Sequence, residues 1–263
     1  MTFEISGKVA IITGASGGIG AAVTKQLLKN NVKGVTLIDV NIEKGNELIE
    51  EIENEFGPNK AIFMKVDVAD LQEFESAFKA TLDKFGNVDI LFNNAGILND
   101  KQWQKMVPVN FNGVVNGMLL GLDNYIKNHK TGSEGVIVNT SSIAGVGCFG
   151  NIPIYSGTKW AVHGMTRAWG VPFHYERTKV KVFAICPGAT DTPLMYSMKD
   201  NTLGGPYQKL NEINKDAHIQ SSEQCAEGIM KLIQKATSGS VWVIKDGKDP
   251  YEFLDPEMIN PPC

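Results

Sequence analysis

The chain has 263 residues, 43% of them hydrophobic, enough to bury a sizeable core in one α/β domain, and no linker-like tract divides it. The formal net charge is −4 and the sequence pI about 5.6. With no block of basic residues, there is no electrostatic footprint for nucleic acid or for an anionic membrane surface, and neither partner is expected.

In chain order, the apolar, β-branched run from Lys8 to Thr13 reads as a strand, followed by Gly14-Ala15-Ser16-Gly17-Gly18-Ile19-Gly20 and then helical periodicity to Leu28. Strand, glycine turn and helix form a phosphate cradle. The glycines permit a tight turn with close backbone approach, and the unpaired amides at the helix start attract a pyrophosphate. By spacing alone, the same run also fits a turn that merely packs helix on sheet. A second strand, Val35 to Ile38, ends at Asp39, about twenty residues beyond the loop, where a carboxylate can accept hydrogen bonds from an adenosine ribose and repel a ribose phosphate. NAD is therefore expected over NADP, although a solvated strand-end aspartate would look the same.

Residues 42 to 56 read as an acidic amphipathic helix, Ala61 to Val66 as a third strand, Leu71 to Phe85 as a helix and Val88 to Phe92 as a fourth strand. The strand leads into Asn93-Asn94-Ala95-Gly96, which by itself reads as a polar turn. Residues 102 to 127 read as one long helix containing Asn110, a residue whose amide competes for backbone hydrogen bonds. Gly113, Gly117 and Gly121 leave a smooth stripe on that helix, which fits close approach either of another helix or of the subunit's own sheet.

Val136 to Thr140 reads as a fifth strand, with Ser142 just beyond its end. If the residues after Pro153 are helical, Tyr155 and Lys159 stand one turn apart on one face, so that an ammonium can lie beside a phenol. A lone tyrosine is a poor base, with a reference pKa of about 10, and a neighbouring cation favours the phenolate. The lysine is thus expected to lower the tyrosine pKa toward the range where acid/base exchange is efficient. An isolated Tyr-x-x-x-Lys also arises where a ring is half buried and a lysine snorkels.

Trp169-Gly170-Val171-Pro172 should kink or end this helix. Val180 to Ile185 reads as a sixth strand, Ser221 to Lys235 as a capped helix and Val241 to Ile244 as a last strand. Residues 190 to 217 lack a clear period, as a substrate-covering lid does, and residues 249 to 263 form a tail.

Taken together, the glycine loop, the serine thirteen residues before the tyrosine, and the Tyr-x-x-x-Lys pair resemble the classical short-chain dehydrogenase/reductase family over almost the whole chain. Within it, Asn-Asn-Ala-Gly-Ile-Leu at 93 to 98, Pro153 to Lys159 and Gly239-Ser240-Val241-Trp242 resemble the insect-type alcohol dehydrogenases and the hydroxyprostaglandin dehydrogenases. The resemblance implies a single Rossmann-type domain: a doubly wound parallel sheet of about seven strands flanked by helices. It implies a catalytic tetrad of Asn110, Ser142, Tyr155 and Lys159, with Asn110 holding a water that links Lys159 to solvent. It implies NAD contacts from Gly14, Ser16, Gly17, Gly18, Ile19 and Gly20, from Asp39, Asp67, Val68 and Asn94, from Tyr155 and Lys159, and from Pro187, Gly188, Thr190 and Thr192.

The activity so implied is oxidation of an alcohol, or reduction of the matching ketone, as the small-molecule partner. Tyr155 exchanges the hydroxyl proton, Ser142 orients the oxygen and hydride passes to NAD. A steroid or prostaglandin dehydrogenase, or a carbonyl reductase, is the alternative. A non-catalytic nucleotide-binding protein of the same fold is disfavoured because Ser142, Tyr155 and Lys159 are all present. The family also implies a homodimer or homotetramer, paired through the helix of Gly113, Gly117 and Gly121 and that of Gly157, Ala161 and Gly164.

The loop facing Tyr155 is apolar. Ser142, Ile143, Val146, Phe149 and Ile152, with Met195 and Met198 from the lid, are expected to line a pocket for a medium-sized apolar alcohol, although some of them could be core. Ile152 stands where hydroxyprostaglandin dehydrogenases carry a glutamine. Cys148, Cys186, Cys225 and Cys263 form no C-x-x-C pair and suit reduced thiols, while His129, His163, His174 and His218 lack metal-ligand spacing, so no metal is expected. The N-terminal residues contain no apolar signal core, and a cytoplasmic protein is expected. Asn139-Thr140-Ser141 matches a glycosylation sequon but falls at the end of a strand expected to be buried.

Overall fold

The computed structural model describes residues 2–210 and 218–254. Its sheet is built from the apolar runs: β1 (Val9–Thr13), β2 (Gly34–Asp39), β3 (Ala61–Lys65), β4 (Ile90–Asn93), β5 (Gly135–Thr140), β6 (Val180–Pro187), β7 (Val241–Ile244) and β8 (Tyr251–Glu252). The spatial order is β3-β2-β1-β4-β5-β6-β7-β8. The first seven strands pair in parallel, and β8 pairs antiparallel with β7. The expected parallel sheet of about seven strands is present, and two residues of the expected tail add an eighth, antiparallel strand at its edge.

Helices cover both faces, so the central strands have no wet side, which is why they read as continuous apolar runs rather than alternating ones. Side-chain alternation still sorts the residues. Ala10, Ile12, Val136 and Val138 face one core, with Leu27 and Leu28 of α1 (Gly18–Lys29) and Ile229, Leu232 and Ile233 of α9 (Ser222–Lys235). Ile11, Leu91 and Ile137 face the other, with Phe74 and Phe78 of α3 (Leu71–Phe85) and Val114 and Met118 of the helical run 100–129, here α4. Asn139 of the sequon is buried and hydrogen-bonded to Asn93 and Thr166 within this packing.

Helix ends follow local chemistry. Asn41 accepts from Lys44 N at the start of α2 (Ile42–Phe56), Asp70 caps α3 before a left-handed Gly86, and Ser221 with Gln224 forms a capping box on α9. The long α4 is continuous, as expected, but contains two π segments, Pro108–Asn112 and Leu119–Tyr125. Pro108, which brings no N–H to the ladder, opens the first. The helix of Tyr155, α5 (Pro153–Trp169), stops at Gly170 and is followed by α6 (Pro172–Thr178), as the Gly-Val-Pro sequence requires.

One expectation is corrected. The glycine stripe of α4 faces the subunit's own sheet: a Cβ at Gly117 would overlap the Asn93 side chain, and one at Gly113 or Gly121 would press on Val68 or Ile137. By contrast, Gly157 and Gly164 of α5 have open space beside them. Of the expected lid, α7 (Pro193–Ser197) and α8 (Pro206–Lys209) are helical, while 211–217 lie outside the described residues, as do 255–263 of the expected tail.

Candidate active site

The connections leave β1 and β4 in opposite directions along the sheet, and a cleft opens at the carboxyl ends of the strands beside this switch point. The cleft is about 560 Å³ and runs from Asp39 and Val40 at one end to Met195 and Met198 at the other. At the first end the glycine turn is forced by close approach. Gly14 has φ +63° with Ala95 against it, and a Cβ at Gly20 would overlap the Gly14 carbonyl. The N-cap, Gly17, offers no side-chain acceptor, so the first amides of α1 are left for an anion.

The residues expected at NAD are brought together there, and they fit a dinucleotide. Gly14, Ser16, Gly17, Gly18, Ile19, Asp39, Asp67, Val68, Asn94, Pro187, Gly188, Thr190 and Thr192 all line the cleft. Gly20 does not; it acts by letting the turn close. Asp39 is fixed by Ser16 N and Asn41 N, each 3.0 Å from a carboxylate oxygen. Asn94 acts as a brace: its Nδ2 donates to Thr13 O and Gly14 O, tying the glycine turn to β4. Asp67 Oδ1 accepts from Ala69 N, shaping the turn after β3. Thr192 reaches across the cleft to pack beside Gly18 and caps α7 through Met195 N.

At the middle of the cleft, β5 and α5 converge. Ser141 Oγ donates to Lys159 O at 2.8 Å, pinning the helix to the strand end, and Ser142 Oγ accepts from Ala144 N at 3.1 Å. Tyr155 is 6% exposed and Lys159 3% exposed. Lys159 Nζ lies 5.6 Å from the Tyr155 ring centre and donates to Thr140 O at 2.8 Å. The ammonium therefore lies beside the phenol as expected.

The net environment of the phenol nevertheless opposes the expected lowering. Burial pushes the Tyr155 phenol up to about 12, and the group that opposes this is Ser142, through its hydrogen bond. Burial also draws Lys159 down to about 8. Both shifts arise because desolvation disfavours whichever form is charged. In the resting site the tyrosine is thus a phenol. Cys186, buried beside them, has its thiol raised to about 11 by burial and is no nucleophile at neutral pH.

Asn110 is buried within the first π segment, and its amide is hydrogen-bonded. Oδ1 accepts from Ile97 N at 2.9 Å, and Nδ2 donates to Ile97 O at 2.9 Å and Thr158 Oγ1 at 3.2 Å. The side chain clamps the strand-loop carrying Ile97 to α5.

The far end of the cleft is apolar. Ser142, Ile143, Phe149, Ile152, Met195 and Met198 line it as expected, joined by Ile97, Leu98, Val109 and Leu194, which the sequence reading did not single out. Val146 is corrected: it packs on Ala184, Cys186 and Val243 of the sheet. Also missed is Asp100, a buried carboxylate bonded to Ile154 N and Tyr155 N. Its only signal in the sequence is indirect: α5 starts at Ile152-Pro153, with no capping side chain.

Comparison with known proteins agrees with this geometry. The chain is 34% identical over 261 residues to 15-hydroxyprostaglandin dehydrogenase (NAD(+)) of Rattus norvegicus, covering 97% of each. It is 31% identical over 248 residues to alcohol dehydrogenase 2 of Ceratitis capitata, covering 92% of this chain and 93% of that one. In structure it resembles 3-ketoacyl-(acyl-carrier-protein) reductase from Brucella melitensis complexed with NADH, with a TM-score of 0.75, 26% identity, and coverage of 91% of this chain and 97% of that one. Residues 8–202 match the family described as short chain dehydrogenase. With its glycine turn, switch-point cleft and Ser142, Tyr155 and Lys159 converging in that cleft, the chain belongs to the short chain dehydrogenase family.

Proposed function

We propose that this chain is an NAD-dependent dehydrogenase of apolar secondary or allylic alcohols, with Tyr155 as the general acid/base. The observation that carries the reading is the buried Tyr155 phenol, with Lys159 Nζ 5.6 Å from its ring centre and Ser142 in the same cleft, at the junction between its dinucleotide end and its apolar end. NAD supplies the hydride acceptor, and its oxidised nicotinamide brings a positive charge that favours the phenolate. Ser142 Oγ orients the substrate oxygen. Tyr155 Oη takes the hydroxyl proton during oxidation and returns it during reduction. Lys159 uses one N–H on Thr140 O and has two left for a ribose hydroxyl. Asp39 accepts from ribose hydroxyls and disfavours a phosphate on them.

The substrate class follows from the lining. Ile97, Leu98, Phe149, Ile152, Leu194 and Met198 offer no side-chain donors, so a buried polar substrate group left unpaired costs about 1 to 3 kcal/mol. Sequence identity favours a second reading, a hydroxyprostaglandin-type substrate, since that relative is 34% identical against 31% for the insect alcohol dehydrogenase. Ile152 argues against it, because no side-chain amide stands at that position. Comparing kcat/KM with NAD for an apolar allylic secondary alcohol, a hydroxyprostaglandin and a polyol tests both readings. The apolar alcohol is expected to be preferred, and equal activity on the polyol would refute the apolar pocket.

The same reading includes a single catalytic domain that pairs with a second copy. Its support is α5, where Trp160 is 41% exposed and lies one turn from Gly157 and Gly164, both with open space beside them.

A further inference from the structure

The first turn of α5 carries the reactive tyrosine but has no cap of its own. Ile152, at the N-cap, contributes no side-chain oxygen, and Pro153 has no N–H. The amides of Ile154 and Tyr155 therefore enter the interior with no local acceptor. Asp100, the first residue of α4, supplies both: Oδ2 accepts from Ile154 N and Oδ1 from Tyr155 N, each at 2.9 Å. Its residue is 0% exposed. A carboxylate taken wholly out of water is costly, and burial does raise its pKa. What holds it is the pair of amide bonds, together with the positive end of a 17-residue helix.

The same stretch, from Leu98 to Lys101, also grips the segment that carries Met198 at the substrate end. Asp100 N donates to Asn201 O at 2.8 Å, and Asn201 Nδ2 donates to Leu98 O at 3.0 Å. Lys101 Nζ donates to Asp200 O at 2.6 Å. Met198, three residues before Asn201, lines the apolar end of the cleft. One short stretch of chain thus holds the amide of the tyrosine with a side chain and the substrate wall with its main chain.

We propose that Asp100 is the positioning residue of Tyr155, fixing the first turn of α5 in register with the Met198–Asn201 wall so that proton donor and substrate pocket are held as one unit. This inference rests on the reading of Tyr155 as acid/base. Asp100 touches neither substrate nor cofactor; it acts through the helix start.

The test uses the full chain with Asp100→Asn and Asp100→Ala. Asn keeps the shape and one acceptor oxygen, whereas Ala leaves both amides unpaired. NADH fluorescence titration counts the folded binding sites, and kcat with an apolar allylic alcohol is expressed per site. Displacement of a reacting group by about 1 Å costs up to roughly 100-fold, so kcat per site is expected to fall about 10- to 100-fold in Asp100→Asn, with NADH affinity within about twofold of the parent. Asp100→Ala should fall further; if it does not fold, Asp100→Asn decides alone. A purely structural carboxylate would lower Tm and the number of binding sites but leave kcat per site unchanged, and that result overturns the proposal. Tyr155→Phe is the control: turnover surviving in it would refute the acid/base reading itself, whereas a dead Tyr155→Phe beside a fully active Asp100→Asn would refute only the role of Asp100.

Discussion

Replacing Lys159 by methionine removes the ammonium while keeping a flexible side chain of similar length, and it should stabilise the folded protein while abolishing turnover. The magnitude follows from the burial of the lysine. A fall from its ordinary 10.5 to about 8 corresponds to roughly 3 kcal/mol of penalty for holding the charge in the fold. Above pH 10.5 the lysine is neutral in both states and there is no penalty. As pH drops from 10.5 to 8, the unfolded chain takes up a proton that the folded chain resists, so native stability falls; below 8 the loss is complete. Methionine forfeits the 2.8 Å bond to Thr140 O, worth about 1 kcal/mol, which leaves a net gain of roughly 2 kcal/mol at pH 7. For a chain of this length that is about 4 to 8 °C in Tm. Calorimetry or urea unfolding of both proteins at pH 7 and pH 9.5 measures it, and the gap should shrink at the higher pH. A variant that melts below the parent at pH 7, or a gap independent of pH, would show that the ammonium is held without a desolvation penalty. The expected result identifies Lys159 as a residue kept for function at a cost in stability.

Asp39→Ser should raise the ratio of kcat/KM for NADP over NAD by about tenfold, since relief of one unit charge near a phosphate in a partly solvated cleft is worth about 1 to 2 kcal/mol. Lys44, which lines the same end, remains to attract the phosphate; an unchanged cofactor ratio would show that Asp39 does not read the ribose. Gly117→Glu should yield no folded, soluble protein, because its side chain must displace the Asn93 amide and bury a charge, at a cost above about 3 kcal/mol. A soluble, folded monomer in sedimentation would instead restore the glycine stripe to a subunit interface.

The sequence by itself determined what depends on neighbours along the chain. Strand limits followed from apolar runs, the bounds of α2 and α3 from their helical pattern, and the end of α5 from Gly170 and Pro172, because these signals act within one turn or one strand. The glycine turn, Asp39 and the Ser142, Tyr155, Lys159 set were legible for the same reason: their spacing along strand, loop and helix carries the geometry. What only the tertiary structure decided depends on which groups meet from distant parts of the chain, and on how far water is excluded. A stripe of glycines on α4 is compatible with a partner helix or with the sheet, and only the packing of Asn93 against Gly117 selects the sheet. That the amide of Asn110 ties Ile97 to Thr158 is likewise hidden in the sequence, because these residues meet from separate stretches of the chain. A lysine one turn from a tyrosine predicts a lowered phenol pKa in water, but desolvation of the buried pair acts in the opposite sense on the tyrosine and dominates. Asp100 reaches the start of α5 across 54 residues, and no local pattern records it, because a helix lacking a cap in its own sequence does not say which distant side chain supplies one.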